Sequence, residues 1–186
     1  MQKTTRLIIL LLISAQALVS CEKKSGNYPA IDILTLPSLT GKDFRTIYTD
    51  SGLVQLELFA PLMESYNRND NPYTEFREGI KVLFHDGHKD PVGSVTAKYA
   101  KYTQDKNLWE LQDSVVAINE AGEKLETELL YWDEKKGTIY TDRFVKITTE
   151  DQIIQGYGLE SDTRLTKRKI KNLSAIIYIK DENVPK

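Results

Sequence analysis

Turn-forming residues recur at short intervals along the second half of the chain, at Asn119–Gly122, Asp133–Gly137, Thr149–Asp151 and Gly156–Gly158. The runs between them are five to nine residues long and alternate in character: Leu125, Thr127, Leu129 and Tyr131 stand against Lys124, Glu126 and Glu128. A period of two sends successive side chains to opposite faces, so these runs read as half-buried antiparallel strands joined by hairpins. Leu125 and Leu129 are also four apart, but a helix there would last two turns between turn signals. Strands are the better reading. Gly156 and Gly158 read as turn glycines at positive φ.

The same alternation extends upstream. Phe44–Thr49 ends at the turn Asp50-Ser51-Gly52, and Leu53–Phe59 sets Val54, Leu56 and Leu58 against Gln55 and Glu57. Pro61–Tyr66 follows, then the polar loop 67–72. Ile80, Val82 and Phe84 mark one face of a further strand. Val92–Tyr102 reads as one strand, with Val95, Ala97 and Tyr99 opposite Ser94, Thr96 and Lys98. An echo appears thirty residues on: Tyr102 maps to Trp132, Gln112 to Asp142 and Val115 to Val145. Such a shift implies a repeated two-strand unit too small to bury its own face. The last strand puts Leu173, Ala175, Ile177 and Ile179 on one face. No amphipathic helix stands out beyond the first twenty residues. The expected fold is all-β.

Residues 1–20 stand apart from this pattern. Lys3 and Arg6 precede an apolar run of thirteen, Leu7–Val19, too short for a bilayer span and suited to the core of a signal peptide. It ends in Leu18-Val19-Ser20-Cys21, which resembles the lipobox of bacterial lipoproteins, where the cysteine is acylated and becomes the new N-terminus. The competing reading is a buried cysteine after an ordinary signal sequence. Small residues directly before a lone Cys at this depth favour lipidation of Cys21. Several acyl chains, at about 0.8 kcal/mol per buried methylene, make such an anchor stable. The expected organisation is a signal peptide at 1–20, a lipidated tether at 21–37 bracketed by Pro29 and Pro37, and one β domain at 38–186.

The chain carries 25 Lys+Arg against 27 Asp+Glu. Losing Lys3 and Arg6 with the leader leaves 23 against 27, a net of −4, which argues against nucleic acid as a partner. With one cysteine the domain has no internal disulfide and depends on its core and strand pairing. Candidate chemistry is sparse. His85 and His88 flank Asp86-Gly87, with Asp90 nearby, but Asp-Gly is a strong hairpin signal and a plain turn is favoured over a metal loop. Ser51 lies in Asp-Ser-Gly without a nucleophile elbow around it. Neither catalysis nor a cofactor or metal is called for. The basic run Arg164, Lys167, Arg168, Lys169 and Lys171 reads as a solvated turn or edge protection, ahead of contact with lipid phosphates.

Four segments in order, Thr127–Asp133, Gly137–Asp142, Val145–Ile147 and Gly156–Asp162, together resemble the LptC family and the related LptA/OstA repeat. The resemblance covers roughly Phe44–Ile179. It implies an open, twisted β-jellyroll, two antiparallel sheets in a V, that shelters the lipid A acyl chains of lipopolysaccharide. It further implies a passive bridge on the periplasmic side of the inner membrane, between the LptF/LptG permease with its LptB ATPase and an LptA-like module. On that reading Val54, Leu56, Leu58, Val82, Phe84, Val95, Ala97, Tyr99, Leu125 and Leu129 line the groove, and Leu173, Ala175, Ile177 and Ile179 form a docking edge. Many family members begin with a transmembrane helix where this chain has its lipobox. The rival readings are a lipoprotein scaffold and an envelope hydrolase using the His85–His88 loop.

Overall fold

The computed structural model describes residues 35–67, 70–87 and 90–178, all within the unit Leu34–Lys186. The expectations for residues 1–20, Cys21, most of the tether, His88 and Ile179 lie outside the described residues.

Alternation becomes strand throughout, and the strands join one antiparallel sheet. They are β1 (Leu39–Asp50), β2 (Leu53–Tyr66), β3 (Tyr73–Phe76), β4 (Ile80–Phe84), β5 (Gly93–Ala97), β6 (Tyr99–Thr103), β7 (Leu108–Ile118), β8 (Lys124–Asp133), β9 (Thr138–Thr148), β10 (Gln152–Asp162) and β11 (Arg168–Tyr178). A single 3-10 turn, Gln104–Lys106, precedes β7. β1 pairs with β2, and β2 then divides its other side. Leu56–Phe59 takes β4 and Glu64–Tyr66 takes β3. These branches continue as β4–β5 and β3–β6 and reunite on β7, at Val116–Ile118 and Leu108–Gln112 respectively. From β7 the sheet runs on through β8, β9 and β10 to β11. The fold is all-β and consistent with a β-jellyroll.

The long strands bend, and the bends line up. Asp43 sits at φ 48 opposite Pro61, where the β1–β2 pairing lapses for one step. Gly79, at φ 97, separates β3 from β4, and Lys98 separates β5 from β6. In β7 the bend is Asp113 (φ 60) and Ser114 (φ 54), and in β10 it is Gly158 (φ 74). Register shifts fall between Thr127 and Tyr131 in β8 and opposite Tyr157–Leu159 in β9. Neighbouring bends touch: Lys98 N donates to Asp113 O at 3.0 Å, and Ser114 N to Glu128 Oε2 at 3.2 Å. A crease therefore crosses the sheet and divides it into two leaves. Each bulge adds a residue and resets which side chain points inward.

That reset explains the core. Buried residues run Leu111 then Val115, Ala97 then Ala100, Thr127 then Leu130, Thr141 then Val145. Leu125, Val145, Ile147 and Leu159 are wholly buried and belong to one cluster that draws on both leaves. Each such aliphatic side chain contributes about 1.5–3 kcal/mol relative to exposure. Val115 and Val145, linked by the thirty-residue echo, occupy matching buried positions just past the crease.

Several expectations are corrected. Val92–Tyr102 is not one strand, because the crease interrupts it at Lys98. Pro61 does not divide two strands: β2 runs through it, since a missing N–H costs nothing where pairing already lapses. β3 was not anticipated, being four residues with no repeat of the alternation. Gly156 and Gly158 lie inside β10 instead of in a turn; only Gly158 has positive φ. The last strand starts at Arg168 and takes Arg168, Lys169 and Lys171 out of the supposed turn.

Candidate functional site: the apolar interior and its edges

Of the ten residues read as groove lining, Leu58, Val82, Ala97 and Leu125 lie in the buried cluster, with Leu56, Phe84 and Val95 packed against it. Val54 is half-buried. Two face the other way. Ala100, not Tyr99, continues the inward side past Lys98, and the Tyr99 phenol donates to Glu75 Oε1 at 3.0 Å. Burial and that carboxylate hold the Tyr99 hydroxyl protonated well above its ordinary range. Leu130 likewise replaces Leu129, which lines an outer concavity of about 730 Å3 with Glu110, Glu128, Tyr131, Arg143, Phe144 and Tyr157. Both errors have one cause, the extra residue at the crease.

The interior also holds side chains that the alternation did not single out. Trp109 packs between Phe76 and Trp132 with ring centroids 5.9 and 6.4 Å apart, and Tyr102 tilts against it at 4.7 Å. The Trp109 indole donates to Glu134 Oε1 at 2.9 Å. Leu111, Leu130 and Ile139 complete the apolar lining on this leaf, with Ile170 and Leu165 near the β10–β11 turn, while Ile154, paired with Ile147, lines the other leaf. The two tryptophans in Leu108-Trp109 and Tyr131-Trp132 were the available signal, because they are directly paired across β7 and β8.

At the edges, β1 pairs with β2 and β11 with β10, and among the described residues neither has a strand on its far side. β11 is basic at its start and apolar at its end. Leu173, Ile176, Ile177 and Tyr178 are exposed, whereas Ala175 is half-buried. β1 exposes Leu39, Ile47 and Tyr48. Unpaired strand edges are templates for strand addition.

Charge gathers where the leaf rims meet. Arg168 donates from Nη1 and Nη2 to Glu123 Oε2 and Oε1 at 2.9 and 2.7 Å. Asn119 Nδ2 donates to Glu123 Oε2 at 2.9 Å and to the Arg164 carbonyl at 3.1 Å. The Arg168 hydrogen bonds, with a smaller share from Asn119, outweigh burial and hold the Glu123 carboxyl below its ordinary range. Sequence reasoning missed this pair, because its members are 45 residues apart in the chain.

His85 is packed away, its side chain only 6% exposed. Its Nε2 lies 3.3 Å from Glu57 Oε1, close enough for a charge contact but not aligned as a hydrogen bond. Glu57 is already paired with Arg45 at 2.7 Å. Ser51 donates to its neighbour Asp50 at 3.3 Å in an exposed turn. Among the described residues no group of three or more His, Cys, Asp or Glu could hold a metal ion.

A creased antiparallel sheet wrapped round an apolar interior, with a strand edge at each flank, defines the class: an all-β jellyroll with an amphiphile-like division between a greasy inside and a charged rim. The chain belongs to the lipopolysaccharide-assembly, LptC-related family, whose sequence model matches residues 7–177. That family is a component of lipopolysaccharide transport in the cell envelope. Among curated proteins none matches the chain. Among the described residues no helix is long and apolar enough to cross a membrane.

Proposed function

We propose that this protein is a membrane-anchored bridge that shelters lipid A acyl chains and passes lipopolysaccharide from an LptB/LptF/LptG transporter to an LptA-like module. The observation that carries the reading is an apolar interior extending across the sheet towards strand edges that, among the described residues, have no neighbour at either flank. Modules joined edge to edge prolong such an interior without exposing acyl chains to water. In the free protein the interior is filled by its own side chains, so the leaves must part to admit lipid. Acyl chains then replace one set of apolar contacts with another, and little net burial is lost. Cys21 supplies the anchor, residues 22–37 the tether, and the site of action is the periplasmic side of the inner membrane. No step requires catalysis or a cofactor. β11 is the docking edge for the LptA-like module through its Leu173–Tyr178 end.

The test is photocrosslinking in cells that carry an active transporter. Photoreactive residues at Leu56, Phe84 and Leu125 label lipopolysaccharide in an ATP-dependent way, whereas those at Glu57, Tyr99 and Leu129 do not. Equal labelling from both sets overturns the facing. No labelling from any interior position overturns the carrier reading.

A further inference from the structure

The two leaves meet at their rims through turns of opposite halves of the sheet. Lys124 and Trp132 lie on opposite sides of the crease in β8, and Trp132 is level with Ile139, Ser161 and Arg168. Glu123, in the β7–β8 turn, is thus at the tip of one leaf and Arg168 at the tip of the other. Both point inward: Glu123 continues the side of Leu125 and Thr127, and Arg168 the side of Ile170. Their two hydrogen bonds, with the Asn119 bridge to the Arg164 carbonyl, span the mouth of the interior.

Leu165 fills the space behind this contact. It is 3% exposed, belongs to the core cluster, and sits at φ 60. A leucine in the left-handed region is strained and persists only while its surroundings enforce it. Asp162 helps to enforce it by accepting from Thr166 N at 2.7 Å and Lys167 N at 3.1 Å. The turn is a strained plug held by an ion pair.

The pair itself is selective about what can open it. Removing one partner from a half-buried ion pair strands the other, so the mouth stays shut until a replacement anion arrives. A guanidinium fork donates to phosphate as readily as to carboxylate. Arg164 and Lys167 are exposed in this turn, with Lys169 and Lys171 exposed on the first residues of β11, and together they raise the local concentration of a multiply charged anion. Asn119, in the same turn as Glu123, keeps the freed carboxylate hydrogen-bonded, and Asp151 faces it from the β9–β10 turn.

We propose that Glu123 and Arg168 form a ligand-operated latch, in which a phosphate of an anionic glycolipid takes the Arg168 guanidinium from Glu123 while its acyl chains displace Leu165. The inference rests on the carrier reading and adds to it the entry point, the group recognised and the segment that moves.

The test uses the full chain in phospholipid nanodiscs, with bisphosphorylated lipid A or its dephosphorylated form as probe. Two readouts are taken: amide hydrogen exchange at residues 163–167, and photocrosslinking from position 125. The phosphorylated probe is expected to speed exchange at 163–167 by about tenfold, and the dephosphorylated probe to leave it unchanged. Glu123→Gln is expected to exchange fast without lipid and to take up both probes at similar rates. Arg168→Met is expected to exchange fast as well but to lose the preference for phosphate. Crosslinking at 125 with unchanged exchange at 163–167 overturns the latch and leaves the carrier standing. Equal responses to both probes in the unsubstituted protein overturn the phosphate exchange. Absence of crosslinking from every variant overturns the carrier reading and the latch with it.

Discussion

Gly156 lies so close to Asn172 that a Cβ on it would stand 2.6 Å from the Asn172 carbonyl oxygen, with Ile170 Cγ2 at the same distance. The β10–β11 register shifts beside this glycine. Backbone cannot yield as a flexible side chain can, so the close approach, and not the turn expected there, demands glycine. Gly156→Ala should cost about 2–3 kcal/mol and loosen β11 from the sheet. Gly158→Ala meets only the Lys171 side chain at 3.1–3.3 Å but carries φ 74, and should cost about 1–2 kcal/mol. Thermal melting of the two variants checks the ranking. A Gly156→Ala protein that melts with the parent removes the packing argument.

The crease makes its own prediction. Asp113 and Ser114 occupy the left-handed region in succession, which polar and small residues tolerate and β-branched ones do not. Ser114→Gly should be neutral or stabilising by up to about 1 kcal/mol, while Ser114→Val should cost about 1–2 kcal/mol. Denaturant midpoints would decide it. Equal midpoints would show that the bend is not held by local conformation.

These positions also mark where the sequence stops being legible. Leu53–Phe59 and Lys124–Thr127 alternate cleanly, and the structure puts Leu58 and Leu125 in the core as the period of two demands. Beyond a bulge the parity flips, and nothing in Glu128-Leu129-Leu130 says which leucine turns inward. Tyr99 and Leu129 were misfaced for that reason. Lys98 gave no warning either, since an exposed lysine suits a strand and a bend equally. The Glu123–Arg168 contact was hidden because periodicity reports faces within a strand, not which turns meet when a sheet folds over. Leu165 lies in a polar Thr-Arg-Leu-Thr-Lys stretch with no alternation around it to signal that it is buried in the core.

Acid should weaken the rim before the core. Arg168 and then Asn119 hold Glu123 below its ordinary value of 4.5, and hydrogen bonds from Thr166 and the Lys167 and Thr166 backbone hold Asp162 below 3.8. For carboxyls depressed in the folded state, the stability is present above the unfolded value and is lost as pH falls through the folded one. The melting temperature should therefore fall as pH drops below about 4.5, and Glu123→Gln should flatten part of that fall. Melts taken from pH 6 down to about pH 3 test it. An unchanged slope in Glu123→Gln would mean that the pair adds nothing to the closed state.

Anchoring has a separate test. Cys21→Ser should leave an unprocessed precursor that does not label with palmitate. Normal processing and labelling of that variant would remove the lipidated tether from the proposed function without touching the fold.

The docking edge is the last point at issue, and strand geometry allows it to be tested without ambiguity. Along β11 successive backbone N–H groups point alternately towards β10 and away from it. Ala175 and Ile177 therefore share one direction, and Ser174 and Ile176 the other. Proline removes the donor at its own position. One of the pair Ala175→Pro and Ile176→Pro must break the β10–β11 ladder and lower stability, while the other removes an N–H directed away from the sheet. If β11 receives a partner strand, the second variant keeps its melting temperature and circular dichroism yet loses binding to an LptA-like protein in a pull-down. Truncation after Asn172 should also abolish binding, since it removes Leu173, Ile176, Ile177 and Tyr178, the exposed apolar end of the strand. Full-strength binding by both proline variants would move the docking edge to the other flank, where β1 exposes Ile47 and Tyr48.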